Sequence, residues 1–188
     1  GGGGFDTVDY TTTTGSPNVT FNFAVDGSVT VAESGGAAGA DNLSRFESYI
    51  GTGGVDKFIF ANTDLTTFVS PGSNLIIDGD AGADEVSFNN KSGVTTSLNV
   101  FLDNNSGAGV IKVRAGNSTN SFLLKNIETI NLTESDDYVY VGRGYSSANS
   151  VTIDGKDGVN TIDFSNASSV EVTFDISTLA LTNNLVAN

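Results

Sequence analysis

The sequence predicts an all-β fold wound as an irregular parallel β-solenoid, and three observations carry that reading. Apolar residues fall into short runs rich in β-branched and aromatic side chains, several of them alternating with period two. Clusters of Gly, Asn, Asp and Ser punctuate these runs. Longer stretches of the chain resemble one another, which marks a repeat architecture.

The predicted strands are VTFNF (19–23), KFIF (57–60), NLII (74–77), VIKV (110–113), YVYV (138–141), SVTI (150–153) and VEVTF (170–174). Helical spacing never persists, and the 23 glycines would weaken any helix they fell in. The aromatics Tyr10, Phe21, Phe23, Phe58, Phe60, Phe88, Phe164 and Phe174 follow turn aspartates or alternate along strands, so they read as core and not as a sugar platform.

Segment 74–88, NLIIDGDAGADEVSF, resembles segment 150–164, SVTIDGKDGVNTIDF, 76 residues later (150 − 74). Ile77, Asp78, Gly79, Gly82 and Phe88 recur as Ile153, Asp154, Gly155, Gly158 and Phe164. The opening GGGGFDTVDY repeats the same turn through Gly1, Gly4, Asp6 and Val8. A second element, Phe46-Glu47-Ser48-Tyr49, resembles Ile127-Glu128-Thr129-Ile130, and an Asp follows each Glu by nine residues, Asp56 and Asp137. One domain over 1–188 is expected, with approximate repeats at 1–77, 78–153 and, in part, 154–188.

The recurring turn has the form G-G-x-G-x-D-x-U-x, with U a large apolar residue. GGGGFDTVD (1–9) fits throughout; GAAGADNLS (36–44), GTGGVDKFI (51–59) and GDAGADEVS (79–87) keep both glycines, the Asp and the apolar position. LTESDDYVY (132–140) keeps only Asp137 and Val139, and GKDGVNTID (155–163) carries Asn160 where the Asp belongs, so for these two an ordinary turn is the better reading. Glycine admits positive φ, which lets successive carbonyls turn to one side of a tight loop. The Asp adds a carboxylate, and the apolar residue two positions later points the other way, into the core. Facing turns of this kind offer the oxygen ligands that a hard cation requires. The candidate ligand set is Gly1, Gly4 and Asp6; Gly36, Gly39 and Asp41; Gly51, Gly54 and Asp56; Asp78, Gly79, Asp80, Gly82 and Asp84; and Asp137, Asp154 and Asp157.

This nonapeptide resembles the RTX repeat, the calcium-binding unit of type I-secreted toxins, adhesins, proteases and S-layer proteins. The resemblance implies Ca²⁺ as the cofactor, a right-handed β-roll-like architecture and a secreted, cell-surface location. The chain departs from the family's tandem spacing, because the motif positions 6, 41, 56, 84, 137 and 160 are separated by 35, 15, 28, 53 and 23 residues. A regular tandem roll is therefore excluded. The steps of 28 and 23 match one coil of a wider solenoid, with the turns expected along one edge.

Composition narrows the function. With 22 acidic against 8 basic residues and a net charge of −14, the chain is a poor partner for nucleic acid or an anionic membrane. The absence of cysteine and histidine removes disulfides, most transition-metal sites and imidazole-based triads. No apolar run approaches the ~18 residues of a membrane span. Gly1 reads as the middle of a motif, which predicts a fragment or a mature product.

The expected function is a calcium-binding structural or adhesive module of a secreted bacterial surface protein. Its partners are calcium, copies of itself or flanking repeat modules, and extracellular polysaccharide. The uncharged tail STLALTNNLVAN (177–188) is read as covering a solenoid end, its own or a neighbour's. The alternative is a carbohydrate-binding accessory module. A small calcium-dependent polysaccharide lyase or epimerase ranks below both. Carboxylate pairs such as Asp136/Asp137, Asp154/Asp157 and Asp78/Asp80 would serve its chemistry, but calcium ligation needs the same pairs. No enzymatic activity is expected.

Overall fold

The computed structural model describes residues 2–15, 17–33, 41–61, 69–88, 96–143 and 150–167. Among them are fifteen strands and no α-helix; a single 3-10 turn spans Asn104–Ser106. The strands are β1 (Thr7–Asp9), β2 (Val19–Phe23), β3 (Ser28–Glu33), β4 (Asp41–Ser44), β5 (Ser48–Ile50), β6 (Lys57–Phe60), β7 (Asn74–Asp78) and β8 (Glu85–Ser87). They continue with β9 (Leu98–Leu102), β10 (Ile111–Ala115), β11 (Ser121–Lys125), β12 (Thr129–Asn131), β13 (Tyr138–Val141), β14 (Thr152–Asp154) and β15 (Thr161–Asp163). The all-β expectation holds. The expected run at 170–174 and the tail lie outside the described residues, as do Gly1, Gly36 and Gly39.

Two sheets form. The first runs β1-β5-β7-β11-β10-β9-β13-β15 and the second β14-β12-β8-β6-β2-β3-β4. The chain crosses between them repeatedly: β5, β7, β11, β13 and β15 lie in the first, and β6, β8, β12 and β14 in the second. Nine pairings are parallel, such as Thr20↔Lys57 through Phe23↔Phe60. Four are antiparallel: β2 with β3, β3 with β4, β9 with β10, and β10 with β11. This corrects the expectation of purely parallel winding. The meanders β2–β4 and β9–β11 stay within one sheet; between β2 and β3 a short turn reverses the chain, with Asp26 accepting from the Ser28 N–H at 3.0 Å.

Period-two alternation places one row of side chains between the sheets. Phe21 and Phe23, Phe58 and Phe60, and Val86 and Phe88 are buried from the second sheet. Tyr49, Leu75, Ile77, Val100, Val113, Phe122 and Leu124 are buried from the first. Parallel register stacks like on like: Phe21 on Phe58 at 4.7 Å, Phe23 on Phe60 at 4.1 Å and Phe60 on Phe88 at 5.4 Å. Edge-to-face contacts of Phe23 with Tyr49 and of Phe88 with Phe122 join the sheets across the core. Tyr10 and Phe164 pack against this core only partly buried.

The long sequence repeat does not map onto a single structural position. The strand after turn 79–84 is β8, in the second sheet; the strand after turn 155–160 is β15, in the first. The repeated unit is therefore a turn plus a strand, and it serves both sides of the molecule.

Candidate metal centre

The turns fall on two edges, which corrects the expectation of one. Turns 51–56 and 79–84 carry the chain from the first sheet to the second; turns 2–6, 132–137 and 155–160 lead into first-sheet strands. On both edges the motif acid continues the ladder where the strands end. The Asp56 N–H donates to Asp84 Oδ1 at 2.7 Å, and Glu85 N–H returns to the Asp56 carbonyl at 2.9 Å. The Asp84 N–H donates to Glu128 Oε2 at 2.9 Å, as the Asp6 N–H donates to Glu47 Oε2 at 2.9 Å. The Asp137 N–H donates to Asn160 Oδ1 at 2.9 Å. The 28- and 23-residue steps thus join adjacent turns, and Glu47 and Glu128, noticed only as a sequence echo, share one role.

The position-four glycines let the turns stack. Gly82 has φ 145° and Gly158 φ 88°, and a Cβ on either would strike the carbonyl of Gly54 or Ser135 in the next turn. Gly79 likewise faces the Asn126 carbonyl and Asp84 Oδ2 with no room for a Cβ.

What differs among the turns is the second oxygen of each acid. Asp56 is fully buried, and its needs are met: Val19 N–H donates to Oδ1 at 2.8 Å and Thr52 N–H to Oδ2 at 2.5 Å. The Thr52 hydroxyl lies 3.2 Å from both oxygens. Asp137 repeats the arrangement with Leu98 N–H at 2.6 Å, Thr133 N–H at 3.0 Å and the Thr133 hydroxyl at 3.0 and 3.1 Å. Asp6 accepts from Gly2 N–H at 2.7 Å. Nothing in the sequence reading singled out Thr52 and Thr133; their shared place four residues before the motif Asp was the available signal.

In turns 79–84 and 155–160 the position-two residues, Asp80 and Lys156, have φ of 67° and 55°, which swings their N–H groups away from the motif acid. Those groups donate instead to Asp78 Oδ1 at 3.2 Å and Asp154 Oδ1 at 3.0 Å. Asn160 makes up the loss by donating Nδ2 to the carbonyls of Gly155 at 2.9 Å and Asp157 at 3.1 Å. Asp84 cannot do so. Its Oδ2 occupies the place by Gly79 that Asn160 Nδ2 occupies by Gly155, and it is fully buried without a hydrogen-bond partner. Burial, then the nearby charges of Asp56, Glu128 and Asp80, push the Asp84 carboxyl up to about 7 against the pull of the Asp56 N–H. Burial also raises Asp56 and Asp137.

The remaining candidates have other partners. Asp41 begins β4 and accepts from the Tyr10 hydroxyl at 2.8 Å. Asp78 also binds Asn126 Nδ2 at 2.7 Å, and Asp154 pairs with Lys156 at 2.5 Å. Among the described residues no three acidic side chains converge tightly enough to hold a metal by themselves, so any cation would need backbone carbonyls as well.

No helix among the described residues is long and apolar enough to cross a membrane. Comparisons with protein-family models, curated proteins and solved structures found no match to this chain.

Proposed function

We propose that this chain is a calcium-binding structural module of a secreted surface protein, a degenerate relative of the RTX repeat family whose two sheets wind as a right-handed, roll-like solenoid. The observation that carries the reading is Asp84: a fully buried carboxylate with one oxygen unpartnered, facing other carboxylates and, among the described residues, no cationic side chain. A buried charge of this kind is costly unless a counter-ion or proton neutralises it. The residues around it suit a hard cation. The Asp84 and exposed Asp80 carboxylates and the Asn126 carbonyl are near at hand, the carbonyls of Gly79 and Ala81 correspond to those of Gly155 and Asp157 that accept from Asn160, and water would complete the ~6–8 oxygens that Ca²⁺ takes. Bound there, the ion supplies charge neutralisation and cross-links neighbouring turns. The role is structural and not catalytic.

The ends of the stack support placement within a longer assembly. Strands β1 and β4 at one end, and β14 and β15 at the other, pair on one side only among the described residues. Flanking modules or further copies would extend both sheets.

Calorimetric titration with calcium tests the site, with exposed Asp26→Asn as the charge control. Wild type and Asp26→Asn should bind alike, and Asp84→Ala should lose the strongest binding step. If Asp84→Ala titrates like wild type, the assignment is wrong.

A further inference from the structure

Away from these turns, the outer face of the first sheet carries a cavity of about 340 Å³. Its floor is one cross-strand row. Lys112 of β10 stands opposite Phe101 of β9, and Phe101 stands opposite Tyr140 of β13. These residues alternate with the buried Val100, Val113 and Val139, so the same pleat that fills the core aims them outward. The two rings lie 6.2 Å apart, and the Arg114 guanidinium sits 5.9 Å above the Phe101 ring. Asn105 and Ser106, from the 3-10 turn, form a polar rim. Asp103 caps that turn, accepting from the Asn105 N–H at 2.9 Å and from its side-chain amide at 2.7 Å, so its carboxylate is already committed.

The charge here runs against the rest of the molecule. The whole chain has 8 basic residues and a net charge of −14, yet two of the eight line this cavity. Among the described residues Lys57 and Lys156 form ion pairs with carboxylates, whereas Lys112 and Arg114 form none; Asp103 lines the same cavity, and Arg114 Nε donates to Ser121 Oγ at 3.2 Å. Paired cations over a half-exposed aromatic floor, with an amide and a hydroxyl at the rim, match a ring that carries both an anionic group and hydroxyls.

We propose that the cavity lined by Phe101, Tyr140, Lys112 and Arg114 binds a short saccharide bearing a carboxylate. The sugar ring lies on the aromatic pair, Lys112 and Arg114 take the carboxylate, and Asn105 and Ser106 meet the hydroxyls. Charge-assisted contacts supply affinity and the aromatic floor supplies orientation. The surrounding negative charge disfavours long polyanions such as nucleic acid.

The test is titration with digalacturonate, its methyl ester and adenosine monophosphate in calcium-containing buffer, followed by calorimetry and chemical-shift mapping. Digalacturonate should bind, with shifts at Phe101, Lys112 and Tyr140, and the uncharged ester should bind about tenfold or more weakly. Arg114→Gln and Tyr140→Ala change half-exposed outer-face residues, and circular dichroism confirms their fold; each should weaken binding by a similar factor. Absence of binding to wild type, equal binding of the ester, unchanged affinity in both variants, or tighter binding of the nucleotide would each overturn the proposal. Because Asp84→Ala leaves this face untouched, loss of calcium binding and loss of sugar binding are separable results.

Discussion

Turns 51–56 and 79–84 are neighbours on one edge, share the pattern G-x-x-G-x-D and exchange hydrogen bonds, yet they meet the same electrostatic demand in different ways. In the first, Thr52 supplies an N–H and a hydroxyl, and Asp56 is a closed internal acceptor. In the second, Asp80 turns its N–H away and adds another carboxylate, and Asp84 is left a donor short. A motif that looks uniform in the sequence thus divides into turns whose acid has its oxygens hydrogen-bonded and one whose acid keeps a buried oxygen without a partner. Turn 155–160, where Asn160 brings its own donors, shows what the open turn lacks.

Breaking the closed turn should give the largest effect. Asp56→Ala strands the buried N–H groups of Val19 and Thr52 and should cost roughly 3 kcal/mol. Urea unfolding should report the same loss in EGTA and in calcium; rescue by calcium would mean that Asp56 is a ligand and not a closed acceptor. Asp84→Asn should act in the opposite direction. Its amide can donate as Asn160 does, so in EGTA the variant should be more stable than wild type by roughly 1–3 kcal/mol, and the stabilisation by calcium should vanish.

The pH dependence sharpens the same contrast. The Asp84 carboxyl is raised on folding to about 7, so the folded state holds a proton that the unfolded state has released. Metal-free stability should therefore be full below the unfolded value near 4 and should decline as pH rises to about 7, by a few kcal/mol at most. Asp56 and Asp137, also raised by burial, contribute with the same sign. Asp84→Asn should flatten the curve; an equally steep curve in that variant would assign the titration to another group. The smallest change is expected from Asn160→Asp at the end of the stack. It should cost about 1 kcal/mol in EGTA by removing the donors to Gly155 and Asp157, and thermal melts should recover that loss in calcium. A loss that calcium does not recover would show that the open geometry at Asp84 depends on its interior position.

Several of these features were legible in the residues. The strands at 19–23, 57–60 and 138–141 are found where β-branched and aromatic alternation placed them. The apolar residue two positions after the turn acid is buried at Phe58, Val86 and Val139, as a two-residue period requires. Nothing in the sequence marks Asp103, yet it is the buried cap of a 3-10 turn.

By itself the sequence determined the local unit: a glycine-bent turn, an acid that meets the next turn, and an apolar strand facing inward. These are short-range consequences of φ preference and side-chain alternation, so they read the same wherever the unit falls. Only the tertiary structure decided which edge each unit occupies. Turn 79–84 leads from β7 in the first sheet to β8 in the second, whereas turn 155–160 leads from β14 in the second to β15 in the first, so the two lie on opposite edges despite their likeness. Only the tertiary structure, too, brought the Val19 N–H onto Asp56 and the Leu98 N–H onto Asp137, and gathered Phe101, Lys112, Arg114 and Tyr140 into one cavity. Each of these depends on which strands lie side by side, which neighbours along the chain do not set.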